Sequence, residues 1–380
     1  MGGANNLKTL ENARQYRYVL SALTRLSDLS TSARAALFRD PDRLRALSSG
    51  GIPGGIDGRT ADALSRLDWN AYEAADRKAE ASGARILGFG EEGYPEALTH
   101  LADPPPALYA LGSPECLAVP CVALVGARQA TVYGRNVAET LAADLARSGV
   151  TVVSGLARGI DAASHEGSLA VPGRAAAVLG TGIDRVYPAE NGPLQRRMVE
   201  GGGLVLTEYP PGTAPRKWHF PQRNRIIAGL CWGVVVVEAE ERSGSLITAR
   251  MALESDREVL AVPHAVTSRA GIGPNALIHD GARLVRRAED ILELMPAHLK
   301  ARLHISRAPG GIGAPPVSAE AAGLLERMPC DAAVGLDALA ADASLEMPRL
   351  MALLLELQMA GLCVELPGMR YARRSLPKTS

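Results

Sequence analysis

The chain has 380 residues, 47% hydrophobic and 22% charged, which is ordinary globular material with length for two to three domains. Its 41 basic and 41 acidic residues cancel. That excludes a uniformly basic nucleic-acid coat and an acidic solvating tail, and leaves only local patches of one sign.

In chain order, residues 5 to about 80 read as helices, with Tyr16, Leu20, Leu23 and Leu26 at helical spacing. The break Ser48-Ser49-Gly50-Gly51-Ile52-Pro53-Gly54-Gly55 divides them. Such a turn either connects a helix bundle or offers backbone N–H groups to a phosphate, as helix-hairpin-helix elements do. Residues 86–89 read as a short strand, and Pro95 and Pro104-Pro105-Pro106 as an extended linker. Strands and helices then alternate. Strands are expected at Val122 to Val125, Val150 to Val153, Ala175 to Leu179, Leu204 to Leu206, Val234 to Val237 and Val259 to Val262. Helices are expected over about 134–147, 161–169, 223–230 and 245–255. This α/β pattern implies a Rossmann-like, doubly wound, mostly parallel sheet, with ligands beyond the carboxyl ends of its strands.

Residues 306–317 read as a linker. Beyond it, helices at Ala321 to Met328, after Asp337 and over Met347 to Ala360 precede a hairpin around Pro367-Gly368. Three helices and a hairpin spell a winged helix-turn-helix. The expected organisation is an N-terminal helical domain over 1–82, a core over 83–305, the linker, and the winged helix over 318–380.

Three features carry chemistry. Gly126-Ala127-Arg128 follows the first core strand, so Arg128 stands either at an anion site at the sheet mouth or in a structural salt bridge. Pro215 to Arg225 (PRKWHFPQRNR) holds four fixed positive charges, no acid and two of only 15 aromatics. Basic side chains neutralise phosphates while aromatic faces stack unpaired bases. The plainer reading is a solvated charge run with Trp218 and Phe220 in the core. Third, Ser243-Gly244-Ser245 opens a helix that continues through Thr248 and Arg250, and helix-start hydroxyls and amides suit a phosphate. Ser243 alone can instead be an N-cap.

Other chemistry lacks its residues. The five cysteines form no C-x-x-C pair and read as buried thiols of a cytoplasmic protein. The seven histidines are dispersed, so no metal site is expected. There is no Walker A loop, no G-x-S-x-G elbow, no signal-peptide layout and no membrane-length apolar run.

With these residues in view, the chain resembles the DprA/Smf family of DNA-processing proteins. The resemblance rests on Val125 to Arg128, Ser154 to Asp161 (SGLARGID), Gly180 to Asp184, Tyr187-Pro188, Glu208 to Pro211, Phe220 to Leu230 (FPQRNRIIAGL), Val237-Glu238-Ala239, Ser243 to Ala249 and Gly273 to Ile278. It implies a SAM-like helical N-terminal domain, a Rossmann-like core that binds single-stranded DNA, and no cofactor or catalytic residue. It also implies a homodimer that loads the RecA recombinase in natural transformation, with DNA repair as a second setting, and relieves the block by single-strand-binding protein. The resemblance maps the phosphate-binding Arg onto Arg128, and the basic and aromatic pair onto Lys217 and Phe220, with Arg223 and Arg225 beside them. Gly244, Ser245, Thr248 and Arg250 are expected on the opposite wall, with Ser243, Arg158, Gly126 and Ala127 as further candidates. Dimerisation is expected around Leu277, Ile278 and Leu284. One departure is Val262-Pro263-His264, where the family usually writes Val-Pro-Gly.

Two other chemistries lack their residues. A phosphoribohydrolase would need the Glu of P-G-G-x-G-T-x-x-E, and Arg242 to Arg250 holds no acid. A dinucleotide oxidoreductase would need G-x-G-x-x-G and an acid where Ser154-Gly155 stands. The helix over 347–360 is mostly Leu, Met and Ala, which suits packing or a protein partner. Its neighbour, Arg370 to Arg374, keeps duplex DNA open.

Overall fold

A computed structural model describes residues 17–24, 26, 29–48, 51–171, 174–303 and 317–374. Tyr16 and most of the expected linker lie outside the described residues.

Residues 17–23 are helical, followed by α1 (Thr31–Phe38), α2 (Pro41–Ser48), α3 (Gly58–Ser65) and α4 (Trp69–Ala81). Ser30, Asp57 and Asp68 cap α1, α3 and α4 by accepting from a backbone N–H in the first turn. The core begins with β1 (Arg85–Gly88), α5 (Glu96–Thr99) and β2 (Ala107–Gly112). It continues through β3 (Cys121–Gly126), α6 (Val132–Arg147), β4 (Thr151–Ser154), α7 (Ile160–Leu169), β5 (Ala175–Val178), α8 (Gly192–Glu200) and β6 (Leu204–Thr207). Then come α9 (His219–Leu230), β7 (Gly233–Glu238), α10 (Gly244–Glu254), β8 (Glu258–Ala261), α11 (Ile272–His279), β9 (Arg283–Leu284), α12 (Ala288–Leu294) and α13 (Ala297–Lys300).

The nine strands run β1-β2-β6-β5-β4-β3-β7-β8-β9. Strands β3 to β9 are mutually parallel, and β1 and β2 are antiparallel additions. β2 lies immediately after the tri-proline stretch, where the sequence suggested only a linker. Fully buried runs such as Val234 to Val237 fit strands covered on both faces. On one face, Ile226 and Ile227 of α9 and Ala249 and Ala252 of α10 pack on Ala123, Val125, Val234 and Val236. On the other, Leu141 and Leu145 of α6 and Ile160 of α7 pack on Val122, Leu124 and Val235. The N-terminal helices share that second face. Leu20, Leu23, Phe38 and Leu44 belong to one cluster with Tyr109, Ala177 and Val205 of the sheet.

The C-terminal unit has α14 (Ala319–Arg327), β10 (Val334–Gly335), α15 (Leu336–Ala343), α16 (Met347–Met359), β11 (Cys363–Leu366) and β12 (Arg370–Arg373). The expected hairpin is β11–β12, and β10 extends it to three strands. Asp337 sits in the first turn of α15, with Gly335 at its N-cap. Gly361 takes φ 69° just past α16, a left-handed conformation that glycine adopts without strain. The unit meets the core where Asn136 Nδ2 of α6 donates to the carbonyls of Cys330 (2.8 Å) and Arg373 (3.0 Å). On α16, Met347, Met351, Leu355 and Met359 are exposed at four-residue spacing.

Candidate nucleic-acid interface

The chain leaves β3 in one direction through β4, β5 and β6, and in the other through β7, β8 and β9. Ligands of doubly wound sheets bind beyond the strand ends at such a reversal, against the first helix N-terminus. Here Glu238, the buried last residue of β7, already occupies the start of α6. Its carboxylate accepts from the Thr131 N–H (2.9 Å) and the Thr131 hydroxyl (2.5 Å). Gly134 packs directly on it, where a Cβ would collide. The place a dinucleotide pyrophosphate would take is filled by an internal anion.

Next to it, Arg128 is exposed and makes no ion pair among the described residues. Its guanidinium lies over the Phe220 ring, 5.0 Å from the centroid. Phe220 is the second residue of α9, which starts at His219 rather than at Arg223, with Pro221 in its first turn. The ring packs on Gly180 at the end of β5 and stands 5.4 Å from the ring of Tyr187, which is exposed. Lys217 is exposed in the turn leading into α9. A free cation, two aromatic faces and a lysine therefore stand at the carboxyl ends of β3, β5 and β6.

Arg223 and Arg225 depart from expectation. Arg223 is buried and Arg225 largely so, and both guanidiniums are taken up by partners inside the protein. Arg223 Nη1 donates to the carbonyls of Gly155 (2.8 Å) and Val178, and its Nη2 is 4.0 Å from Asp161 Oδ2. Asp161 in turn accepts from the N–H groups of Gly155 and Ala157. Gly155 has no room for a Cβ, because the Arg223 guanidinium lies against it. Burial pushes Arg223 down to about 10, Asp161 opposes that shift, and the charge of Arg128 adds to it. Arg225 bridges Glu208 (2.6 Å) and Asp103 (3.3 Å). Burial raises the Glu208 carboxyl, against the pull of Arg225 and Arg34. Arg223 thus holds the strand ends at Gly155 and Val178, while Arg225 ties α9 to Glu208 and Asp103.

The remaining candidates divide. Arg158 is exposed and paired with Glu190 at 2.5 Å, and such surface pairs open at little cost. Gly126 ends β3, and the Ala127 carbonyl accepts from the Ile160 N–H at 3.2 Å. Ser243 is the N-cap of α10, its hydroxyl 2.7 Å from that of Ser245. Ser245 and Thr248 are buried, while Gly244 and Arg250 are exposed. This helix start follows β7 at the same end of the sheet, but no hydrogen bond or ring contact among the described residues joins it to Arg128 or Phe220. His264 replaces the family glycine by packing edge-on to Tyr133, with Nε2 2.8 Å from the Val237 carbonyl. Tyr187, part of the Tyr187-Pro188 motif, is a further candidate that the sequence reading does not single out. An aromatic in a strand-end loop was the available signal.

The sequence model described as DNA recombination-mediator protein A matches residues 85–296, more than half of the chain. The chain belongs to this family, the DprA/Smf proteins. A DprA winged helix domain model matches residues 313–369. DNA processing protein DprA of Bacillus subtilis is 43% identical over 215 residues, which are 56% of this chain and 72% of that protein. Protein Smf of Escherichia coli is 39% identical over 294 residues, 76% of this chain and 77% of that one. Among solved structures, DprA of Streptococcus pneumoniae superposes with a TM-score of 0.64 at 33% identity, covering 74% of this chain and 98% of that one. DprA of Helicobacter pylori, described for its single-stranded DNA binding mode, gives 0.51 at 30% identity, covering 55% and 94%. Among the described residues no helix is long and apolar enough to cross a membrane.

Proposed function

We propose that this DprA/Smf protein holds single-stranded DNA at the carboxyl end of its sheet and acts as a non-enzymatic recombination mediator in the cytoplasm. In this reading it loads RecA on incoming strands during natural transformation, with DNA repair as a second setting, and relieves the block by single-strand-binding protein. The observation that carries it is the exposed, unpaired Arg128 stacked on Phe220 at the head of α9. A cation fixed on an aromatic face suits a phosphate beside an unpaired base. Lys217 adds charge, and in this reading the exposed Gly244 at the start of α10 and Arg250 further along it would form the far wall. Family membership and the description of the Helicobacter pylori relative support the same ligand.

A homodimer would use α11 and the edge strand β9, around the half-buried Ile278 and the exposed Leu284, with Ile272 exposed beside them, whereas Leu277 packs partly on the core. On the winged helix, the exposed Met347, Met351, Leu355 and Met359 favour a protein contact over a duplex groove. The phosphoribohydrolase alternative gains no support, because the start of α10 carries no carboxylate for general acid–base work.

The test is RecA filament growth on a strand covered with single-strand-binding protein. The wild type should accelerate growth and Arg128→Ala should not. Acceleration by neither would overturn the mediator reading, and acceleration by both would overturn the role given to Arg128.

A further inference from the structure

The two aromatics of the 215–220 loop serve different surroundings. Phe220 belongs to the sheet mouth with Arg128 and Tyr187. Trp218 lines a separate cavity of about 400 Å³ between the N-terminal helices and the end of β6. Thr24 and Arg34 bound it from the helical side, and Glu208, Arg216 and Gln222 from the core. Trp218 is 50% exposed, a high value for so large a side chain in a protein with three tryptophans. The guanidinium of Arg216 lies 5.9 Å from its ring centroid, and His219 packs edge-on against it at 4.1 Å. The indole is thus held in place while leaving a face to solvent.

The wall behind it is polar. Arg34 and Glu208 are each 6% exposed. Arg34 Nε and Glu208 Oε1 have no hydrogen-bond partner among the described residues. Unsatisfied buried polar groups are unfavourable, and both atoms are closed off from solvent in this conformation, so an occupant satisfies them only with a small movement of the wall. The edge of every nucleobase carries a donor beside an acceptor. The cavity has room for one, Trp218 offers a stacking face, and the exposed Arg216 and Lys217 offer charge for its phosphate.

We propose that this seam is a second nucleobase subsite, which takes an unpaired base from the strand after it has crossed Lys217 from the Arg128–Phe220 subsite. The N-terminal helices would then form part of the DNA site. The inference rests on the single-stranded DNA reading above.

The experiment measures fluorescence anisotropy of a dT trimer and a dT dodecamer with the full chain. Trp218→Ala should weaken dodecamer binding about tenfold and leave the trimer at the wild-type affinity. Trp218→Phe, which keeps a stacking ring, should restore most of the loss. With Trp69 and Trp232 replaced by Phe, the emission of Trp218 should be quenched by the dodecamer. Dodecamer binding unchanged in Trp218→Ala, with no quenching, would overturn the subsite while Arg128→Ala still lost both oligonucleotides. A wild type that binds neither oligonucleotide would overturn the DNA reading itself.

Discussion

The guanidinium of Arg128 lies over the ring of Phe220, 5.0 Å from its centroid, although 92 positions separate them in the chain. The pairing brings the end of β3 to the start of α9 and gives the sheet mouth a positive charge backed by an aromatic face. A strand held there would have its phosphate at Arg128 and a base against Phe220 or Tyr187.

Replacing Phe220 by Leu keeps an apolar side chain over Gly180 and removes the ring. Stacking contributes about 1–3 kcal/mol per base, so affinity for single strands should fall about 5- to 150-fold. The loss should be similar for oligo-dT and for mixed sequences, because every base has a π-face. Equilibrium titrations with both oligonucleotides check this, and a loss confined to one sequence would point to edge readout instead.

Arg225 gives the opposite expectation. Its guanidinium is buried between Glu208 and Asp103, so Arg225→Ala leaves two carboxylates with a missing partner. Breaking such a pair should cost about 3–5 kcal/mol of stability, seen as a lower denaturation midpoint. Single-strand affinity per folded molecule should stay near that of the wild type. A variant of normal stability and lost affinity would return Arg225 to the ligand.

How far these roles were legible depends on where the partners lie. The parallel strands were readable because burial on both faces writes continuous apolar runs, as in Val234 to Val237. β2 was hidden because its pairing with β6 is long-range and the prolines before it suggested a linker. The run 215–225 reads in sequence as one basic cluster, and the structure divides it into exposed Arg216 and Lys217 and inward-turned Arg223 and Arg225. The sequence could not show that α9 turns Arg223 and Arg225 inward, because Asp161 and Asp103 lie 62 and 122 residues away. Likewise, Glu238 reads as one more acid near a strand end until it is found capping α6.

His165, fully buried on α7, makes acid stability a third test. Burial, with help from the charge of Arg223, pushes its imidazole down to about 3. An unfolded histidine takes up its proton near 6.5. Between those values the unfolded chain binds the extra proton, so stability is full above about 6.5 and is lost as pH falls toward 3. The loss approaches about 1.4 kcal/mol per pH unit. Burial raises Asp161 and Glu208, which act with the opposite sign, so the comparison must be with a variant. His165→Leu should show a shallower loss of stability between pH 6 and 4 in denaturant titrations, and parallel slopes would contradict the assignment.

The most direct test of the DNA site is the affinity for fluorescent oligo-dT measured across a salt series. Wild-type affinity should fall steeply with salt. Arg128→Ala and Lys217→Ala should each weaken binding and reduce the salt slope by about one charge. Wild-type affinity and slope in both variants would contradict the placement of the strand at the sheet mouth.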